Sequence, residues 1–352
     1  MEQSPLSPVD RAELAKVAMV RRFHTRAQIT GEIRLPAVPG LLDEYVSLCA
    51  DVFAGLGKPF SDPELNRLKE VLQSQLAAAY AESGHSQILI NYDAPAGPTL
   101  NYHIRTEWQS VSAACESWLS TRKPPPLGTE PDARVWQLAS KSREPTAHRV
   151  LEIGIGAGRN ALALARRGHP VDVMEKSSEF ADTLRSAARR ESLKVNVMQG
   201  DVFADASDLR DDYQLMVLSG VVPNFLSTQQ LRELFMLAAR CLAPGGRLVF
   251  NTFLPRNSYQ PDVAARQFCQ QVYSSLFTRE EMTTAASDLP LTLLSDESVY
   301  DYEKTYLPEG AWPPTSWYCE WVSGIDAFAT SRADSPMELR WLIYQRTDAQ
   351  VP

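Results

Sequence analysis

The chain of 352 residues contains no run of about eighteen apolar residues and no continuous apolar stretch near its start, so neither a membrane span nor an export signal is expected. A basic stripe is also missing. With 43 acidic against 35 basic side chains and a formal net charge of -8, the protein is ill suited to neutralising phosphates, which argues against a nucleic-acid partner. Cysteine is sparse and dispersed: Cys49, Cys115, Cys241, Cys269 and Cys319 form neither C-x-x-C pairs nor a disulfide-dense framework, and read as small buried hydrophobes. The histidines His24, His85, His103, His148 and His169 lack metal-ligand spacing, so no metal is expected. These absences fit a cytoplasmic globular protein. They leave its oligomeric state open.

What is present divides the chain in two. The first part is mainly helical in pattern, with an apolar periodicity through Leu41–Leu56 and a helix that Ser61-Asp-Pro-Glu starts and that runs to about Glu82. "SQILINYD" and "PTLNYHIR", joined by "APAG", read as a β-hairpin, and a further helix is expected from Thr106 to about Thr121. The proline-rich stretch at Lys123–Leu127 then reads as a linker. The expected division is a cap over residues 1–128 and a core over residues 129–352.

Beyond the linker the pattern alternates. Short apolar runs at "HRVLEIG", "PVDVMEK", "KVNVMQG", "YQLMVLSG" and "GRLVFNTF" are separated by helical segments at Asn160–Arg167, Ser178–Glu191 and Thr228–Cys241. Such alternation means βαβ units and a doubly wound, mostly parallel sheet. A helix at Thr278–Ser287 and two longer strands, "LTLLSDESVYDYEK" and "MELRWLIYQRT", complete the expectation.

The first core strand runs into Glu152-x-Gly154-x-Gly156-x-Gly158. Glycines at the carboxyl end of a parallel strand let backbone approach a ligand and present amides at a helix N-terminus. The register is not that of a dinucleotide fingerprint, because Arg159 takes that fingerprint's last glycine or alanine place. It resembles motif I of the class I S-adenosylmethionine-dependent methyltransferases, and three further landmarks carry the likeness. Glu175 ends the second strand, Gln199-Gly200-Asp201 ends the third, and Leu242–Phe250, "LAPGGRLVF", precedes the fifth.

The resemblance spans about residues 146–254 and implies a Rossmann-like α/β core that binds S-adenosylmethionine and yields S-adenosylhomocysteine. It implies cofactor contacts at Glu152, Gly154, Gly156, Gly158, Asn160, Glu175, Lys176, Gly200, Asp201, Val202, Ser219 and Gly220. Glu175 would accept from both ribose hydroxyls, Asp201 would take the adenine amino group, and Val202 would pack on its ring. Ser219–Phe225 lacks the N/D-P-P-Y/F pattern of enzymes that methylate amino groups in DNA, glutamine or adenine. It looks more like a small-molecule branch, similar to tellurite-resistance and thiopurine-type methyltransferases.

The acceptor side is read from aromatics, which can orient a nucleophile and exclude water. "TYLPEGAWPPTSWYCEW" supplies Trp312, Trp317 and Tyr318 within an aromatic insertion over about residues 305–335, and Asn224 is a further substrate contact. The hairpin supplies Tyr92, Tyr102 and His103 as catalytic candidates, with His103 the first choice for a general base. The expected activity is O- or N-methylation of a small molecule. An inactive cofactor-binding regulatory module and an aminopropyl-type transferase are the alternatives.

Overall fold

The computed structural model describes residues 8–24, 26–109, 117, 128–154, 156 and 158–347, and these fall into two compact units, Met1–Ser110 and Val111–Pro352. The expected linker at residues 123–127 and Cys115 lie outside the described residues. Among those described, no helix is long and apolar enough to cross a membrane.

In the first unit, helices α1 (Pro8–His24), α2 (Leu42–Gly55) and α3 (Asp62–Glu82) accompany strands β1 (Ile29–Pro36), β2 (Gln87–Ala94) and β3 (Asn101–Glu107). Strand β2 lies between the other two and is antiparallel to both. Helix α3 starts where the sequence predicts, in a capping box whose Ser61 N–H donates to Glu64 Oε2 at 2.7 Å. It buries Leu68, Leu72, Leu76 and Ala79, one face at helical spacing. Helix α2 does the same with Tyr45, Cys49 and Phe53. Thr106 and Glu107, expected to open a helix, instead complete β3. Strand β1 has no counterpart in the sequence reading. Gly31 and two charges interrupt its apolar pattern, and Gly31 is needed because the Tyr92 ring on β2 fills the space a Cβ would take.

The second unit is a seven-stranded sheet in the order β6-β5-β4-β7-β8-β10-β9. Its strands are β4 (Val150–Ile153), β5 (Val171–Glu175), β6 (Val195–Gln199), β7 (Tyr213–Leu218), β8 (Leu242–Pro255), β9 (Leu291–Ser298) and β10 (Met337–Arg346). The first five are parallel, while β10 runs antiparallel to both β8 and β9. Alternate residues of each central strand feed opposite cores. Val150, Val173, Val217 and Val249 join one cluster, and Leu151, Met174, Met216 and Phe250 the other. A sheet covered on both faces requires this, which is why these strands read as nearly continuous apolar runs.

The covering helices are α4 (Ala133–Ser140), α5 (Arg159–Arg166), α6 (Ser178–Arg190), α7 (Thr228–Cys241), α8 (Val263–Gln271), α9 (Arg279–Ala286), α10 (Val299–Tyr306) and the short α11 (Tyr318–Val322). Four of the predicted segments are α5, α6, α7 and α9. The run "LTLLSDESVYDYEK" is not one strand. Its second half is α10, where the Ser298 hydroxyl accepts from the Asp301 N–H and Val299, Tyr302 and Glu303 are buried at helical spacing. Cys49, Cys241 and Cys269 are buried, as expected, whereas Cys319 is half-buried.

Beneath β4 and β5, at the end of the sheet where both strands begin, His148 and His169 meet edge to face at 5.2 Å. His169 Nδ1–H donates to the His148 carbonyl at 2.9 Å, leaving His148 Nδ1 and His169 Nε2 buried without a partner among the described residues. Burial holds both imidazoles below their ordinary value of 6.5, and for His148 the neighbouring His169 adds to the effect. Depressed values mean that the unfolded chain takes up protons first. The pair therefore stabilises the fold above pH 6.5 and loses that contribution as pH falls below it. Denaturant unfolding should show wild type and His169→Phe converging in stability from pH 7 down to about pH 5. A constant gap would show that the pair does not titrate in this way.

Candidate active site

A pocket of about 370 Å³ opens along the carboxyl ends of the parallel strands, from β6 across to β8. Its centre is the loop after β4, where Gly154, Gly156 and Gly158 adopt φ of 69°, 50° and 74°. All three need the left-handed region, but for different neighbours. A Cβ on Gly154 would meet Val221 Cγ2 at 2.6 Å, and one on Gly158, the N-cap of α5, would meet Leu184 Cδ1 at 2.9 Å. A Cβ on Gly156 would meet nothing within 4 Å among the described residues. Protein crowds the outer two, and the middle one faces the cavity.

Behind the loop lies a buried polar network. The Asp132 N–H donates to Asn160 Oδ1 at 2.8 Å, and Asn160 Nδ2 donates to Asp132 Oδ2 at 2.9 Å. Arg159 is ion-paired with the other oxygen of Asp132 and also donates to the Glu130 carbonyl at 3.1 Å. Glu303, from α10, accepts from the Ala133 and Arg134 N–H groups at 2.7 and 3.2 Å and from Trp341 Nε1 at 2.9 Å. It thereby closes the N-terminus of α4. Burial pushes the Glu303 carboxyl up, with Asp132 adding to the shift. Glu152, only 2% exposed, is pushed up to about 8, chiefly by burial, against which the Asn160 side chain and Arg159 work only partly. Its Oε2 has no hydrogen-bond partner among the described residues, and its side chain lines the pocket.

One end of the pocket is formed at β5 and β6. Glu175 is buried at the tip of β5, with Oε1 accepting from the Ser177 N–H at 2.8 Å. Asp201 Oδ1 accepts from the Phe203 N–H at 3.0 Å, and Lys176 Nζ reaches Oδ2 at 3.1 Å. Burial alone would raise the Asp201 carboxyl. These two donors outweigh it and hold the group below its ordinary value. Gly200, Val202, Phe180 and Phe203 complete this end.

The other end comes from β7, β8 and the aromatic insertion. Ser219 and Gly220 follow β7, where the Gly220 N–H donates to Asn251 Oδ1 at 2.7 Å and Asn224 Nδ2 donates to the Gly220 carbonyl at 3.0 Å. Trp317, Tyr318 and Trp321 stand with ring centres 6.0 Å apart from one another. Trp321 Nε1–H donates at 3.2 Å to the carbonyl of Tyr273, a non-glycine residue held at φ 56°. Such a backbone is unusual for a bulky side chain. Trp312 backs Tyr318 at 5.8 Å and Tyr300 at 5.1 Å.

The structure thus gathers around one cavity Glu152, Gly154, Gly156, Asn160, Glu175, Lys176, Gly200, Asp201, Val202, Ser219, Gly220, Asn224, Trp317 and Tyr318. Gly158 and Trp312 support it from behind. Tyr92, Tyr102 and His103 stand on the hairpin of the first unit. There Tyr92 and Tyr102 pack around the buried Phe53 at 5.8 and 6.3 Å, and His103 is exposed. Sequence reasoning read the aromatic segment that ends at Trp321 as a substrate wall without naming Trp321 itself as a contact, and it missed Asp132, Asn251, Tyr273 and Glu303. Trp321 was within reach, lying four residues after Trp317 on a helical spacing; the others carry no local signal. Among the described residues no three His, Cys, Asp or Glu side chains come together to hold a metal ion.

A doubly wound sheet whose seventh strand is antiparallel, carrying a glycine loop and two acidic strand ends at one pocket, defines a Rossmann-like nucleotide-cofactor enzyme. Residues 150–246 match the family model described as a methyltransferase domain. That segment is a class I S-adenosylmethionine-dependent methyltransferase domain, and S-adenosylmethionine is its cofactor. No curated protein matches the chain. Among solved structures it is similar to the geranyl diphosphate C-methyltransferase of Streptomyces coelicolor A3(2), with 17% identity, 61% of this chain and 80% of that one covered, and a TM-score of 0.46. It is also similar to the [4+2]-cyclase SpnF, at 16% identity, 62% and 81% coverage and a TM-score of 0.44. The O-MT segment of StiE is a third, at 17%, 60% and 72%, and 0.42.

The Glu152 carboxyl has a testable consequence. Its folded value of about 8 exceeds its ordinary value of 4.5, so its contribution to stability is complete below pH 4.5 and is lost as pH rises through 8. Glu152→Gln cannot ionise. Unfolding of the cofactor-free proteins should show the variant gaining on wild type by on the order of a few kcal/mol across that window. A difference independent of pH would contradict a protonated Glu152.

Proposed function

We propose that the chain transfers a methyl group from S-adenosylmethionine to a small-molecule acceptor held in the same pocket, at an oxygen or nitrogen atom. The observation that carries this reading is Gly156, whose missing side chain leaves open space on the cavity side while its companion glycines are crowded by protein. Backbone at that point can approach a ligand that no other residue type would admit. Glu175 would accept from the ribose hydroxyls, since a carboxylate offers acceptors only. Asp201 keeps lone pairs for the adenine amino group, and Val202 with its neighbour Phe203 would pack on the ring.

The cofactor supplies a methyl group activated on a sulfonium sulfur. The protein's share is then to align the acceptor opposite that group and to keep water away. Trp317, Tyr318 and Trp321 suit both tasks. Asn224, tied to the Gly220 carbonyl, would position the acceptor's polar end. Tyr92, Tyr102 and His103 of the hairpin are the candidates carried for the acceptor side, and of these His103 is exposed.

Two experiments test the proposal. Gly156→Ala should weaken S-adenosylhomocysteine binding at least about tenfold while costing about 1–2 kcal/mol of stability from its left-handed backbone. Gly154→Ala should cost more stability, because Val221 must also move; equal calorimetric affinities for Gly156→Ala and wild type would remove the basis of the reading. For a hydroxyl acceptor, which must give up its proton, His103→Ala should lower transfer of labelled methyl into a metabolite extract and leave cofactor affinity within about twofold. Undiminished transfer would take His103 out of the reaction.

A further inference from the structure

We infer that the methylated atom is an amine nitrogen and that the acceptor carries no carboxylate or phosphate, an inference that rests on the methyl-transfer reading of this pocket. Three independent features of the lining point the same way.

The first is the wall. Trp317, Tyr318 and Trp321 form one aromatic surface, and the Trp321 indole N–H is already bonded to the Tyr273 carbonyl, so that side chain offers a ligand its ring. Aromatic faces attract ammonium groups and repel anions. The second is charge. Among the described lining residues the cations are Arg159 and Lys176, paired with Asp132 and Asp201. The lining also carries the carboxyl groups of Glu152 and Glu175. An anionic acceptor would meet no cation among these that is not already paired, whereas an ammonium meets the ring faces of the wall.

The third is proton accounting. An alcohol needs a base beside it to take its proton as it attacks. An amine that arrives as the ammonium gives its proton to bulk water beforehand and attacks as the neutral amine, with no base of the protein required. Its nitrogen lone pair forms the new N–C bond as the C–S bond breaks, the electron pair of that bond goes to sulfur, and the positive charge passes from sulfonium to ammonium. The charge inside the pocket is unchanged, and the product ammonium returns its proton to bulk water after release. The lining matches this economy. No histidine or cysteine occurs among its described residues. Glu152 keeps its proton below about pH 8, and burial holds the Tyr318 hydroxyl protonated well beyond its ordinary range. The carboxylates of Glu175 and Asp201 sit at the β5 and β6 end, engaged by backbone N–H groups.

The test uses the full chain saturated with S-adenosylhomocysteine and three probes sharing one ring: 2-phenylethylamine, 2-phenylethanol and phenylacetate. By calorimetry the amine should bind at least about tenfold more tightly than phenylacetate. Trp317→Leu should erase most of that preference while leaving S-adenosylhomocysteine affinity within about twofold, which also reports that the variant is folded. Trp321→Leu should act the same way, though it also loses packing on Phe253. Equal or tighter binding of phenylacetate, or no binding of the amine at millimolar concentration, overturns the inference. So does a labelled O-methyl product from a metabolite extract. Failure of the full chain to bind S-adenosylhomocysteine would instead sink the methyltransferase reading, and this inference with it.

Discussion

Between Ile153 and Arg159 the backbone turns left-handed at every second residue, and the rest of the site is built on that turn. A single left-handed residue other than glycine costs of order 1–2 kcal/mol, so three in five positions are sustainable only as glycines. The turn does three jobs at once. It lets Val221 close over the end of β4, opens the cavity at Gly156, and delivers Gly158 as the cap of α5 beneath Leu184. At the middle position only the left-handed backbone opposes a side chain, since no described protein atom crowds it, and the space beyond it is the pocket.

What keeps the loop in place is polar and buried. Asp132 holds Arg159 and Asn160, the first two residues of α5, and Glu303 holds the first N–H groups of α4. Burying several carboxyl groups around one arginine is costly unless the charges are paired or neutralised. Both remedies occur. Asp132 is matched by Arg159 and by hydrogen bonds, while burial favours the protonated forms of Glu152 and Glu303. Hydrogen-bonded networks rigidify their surroundings, and here the bonds of Asp132 and Glu303 fix the starts of α5 and α4 behind the glycine loop.

The insertion between β9 and β10 links the two halves of the pocket. Its helix α10 provides Glu303 to the network behind the loop, and α11 provides the aromatic wall in front of it. One segment thereby joins the polar network behind the loop to the aromatic end of the pocket. Trp312 contributes from behind, by fixing Tyr318.

Local patterns made much of this legible. Five parallel strands, four of their covering helices and the glycine loop all follow from period, caps and turn residues within about fifteen positions of one another, and backbone geometry is a local property. The sequence by itself therefore determined the α/β core, the position of its loop and the acidic ends of β5 and β6. It did not reveal β1, whose pattern Gly31 interrupts, or the switch from β9 to α10 at Ser298, because Val299, Tyr302 and Glu303 become a buried face only once α4 lies against them. Nor could it place β10 between β8 and β9, or bring Asn251, Tyr273 and Trp321 to a cavity that starts at Glu152. Those are contacts between residues far apart in the chain, chosen by the packing of whole elements, and only the tertiary structure decides them.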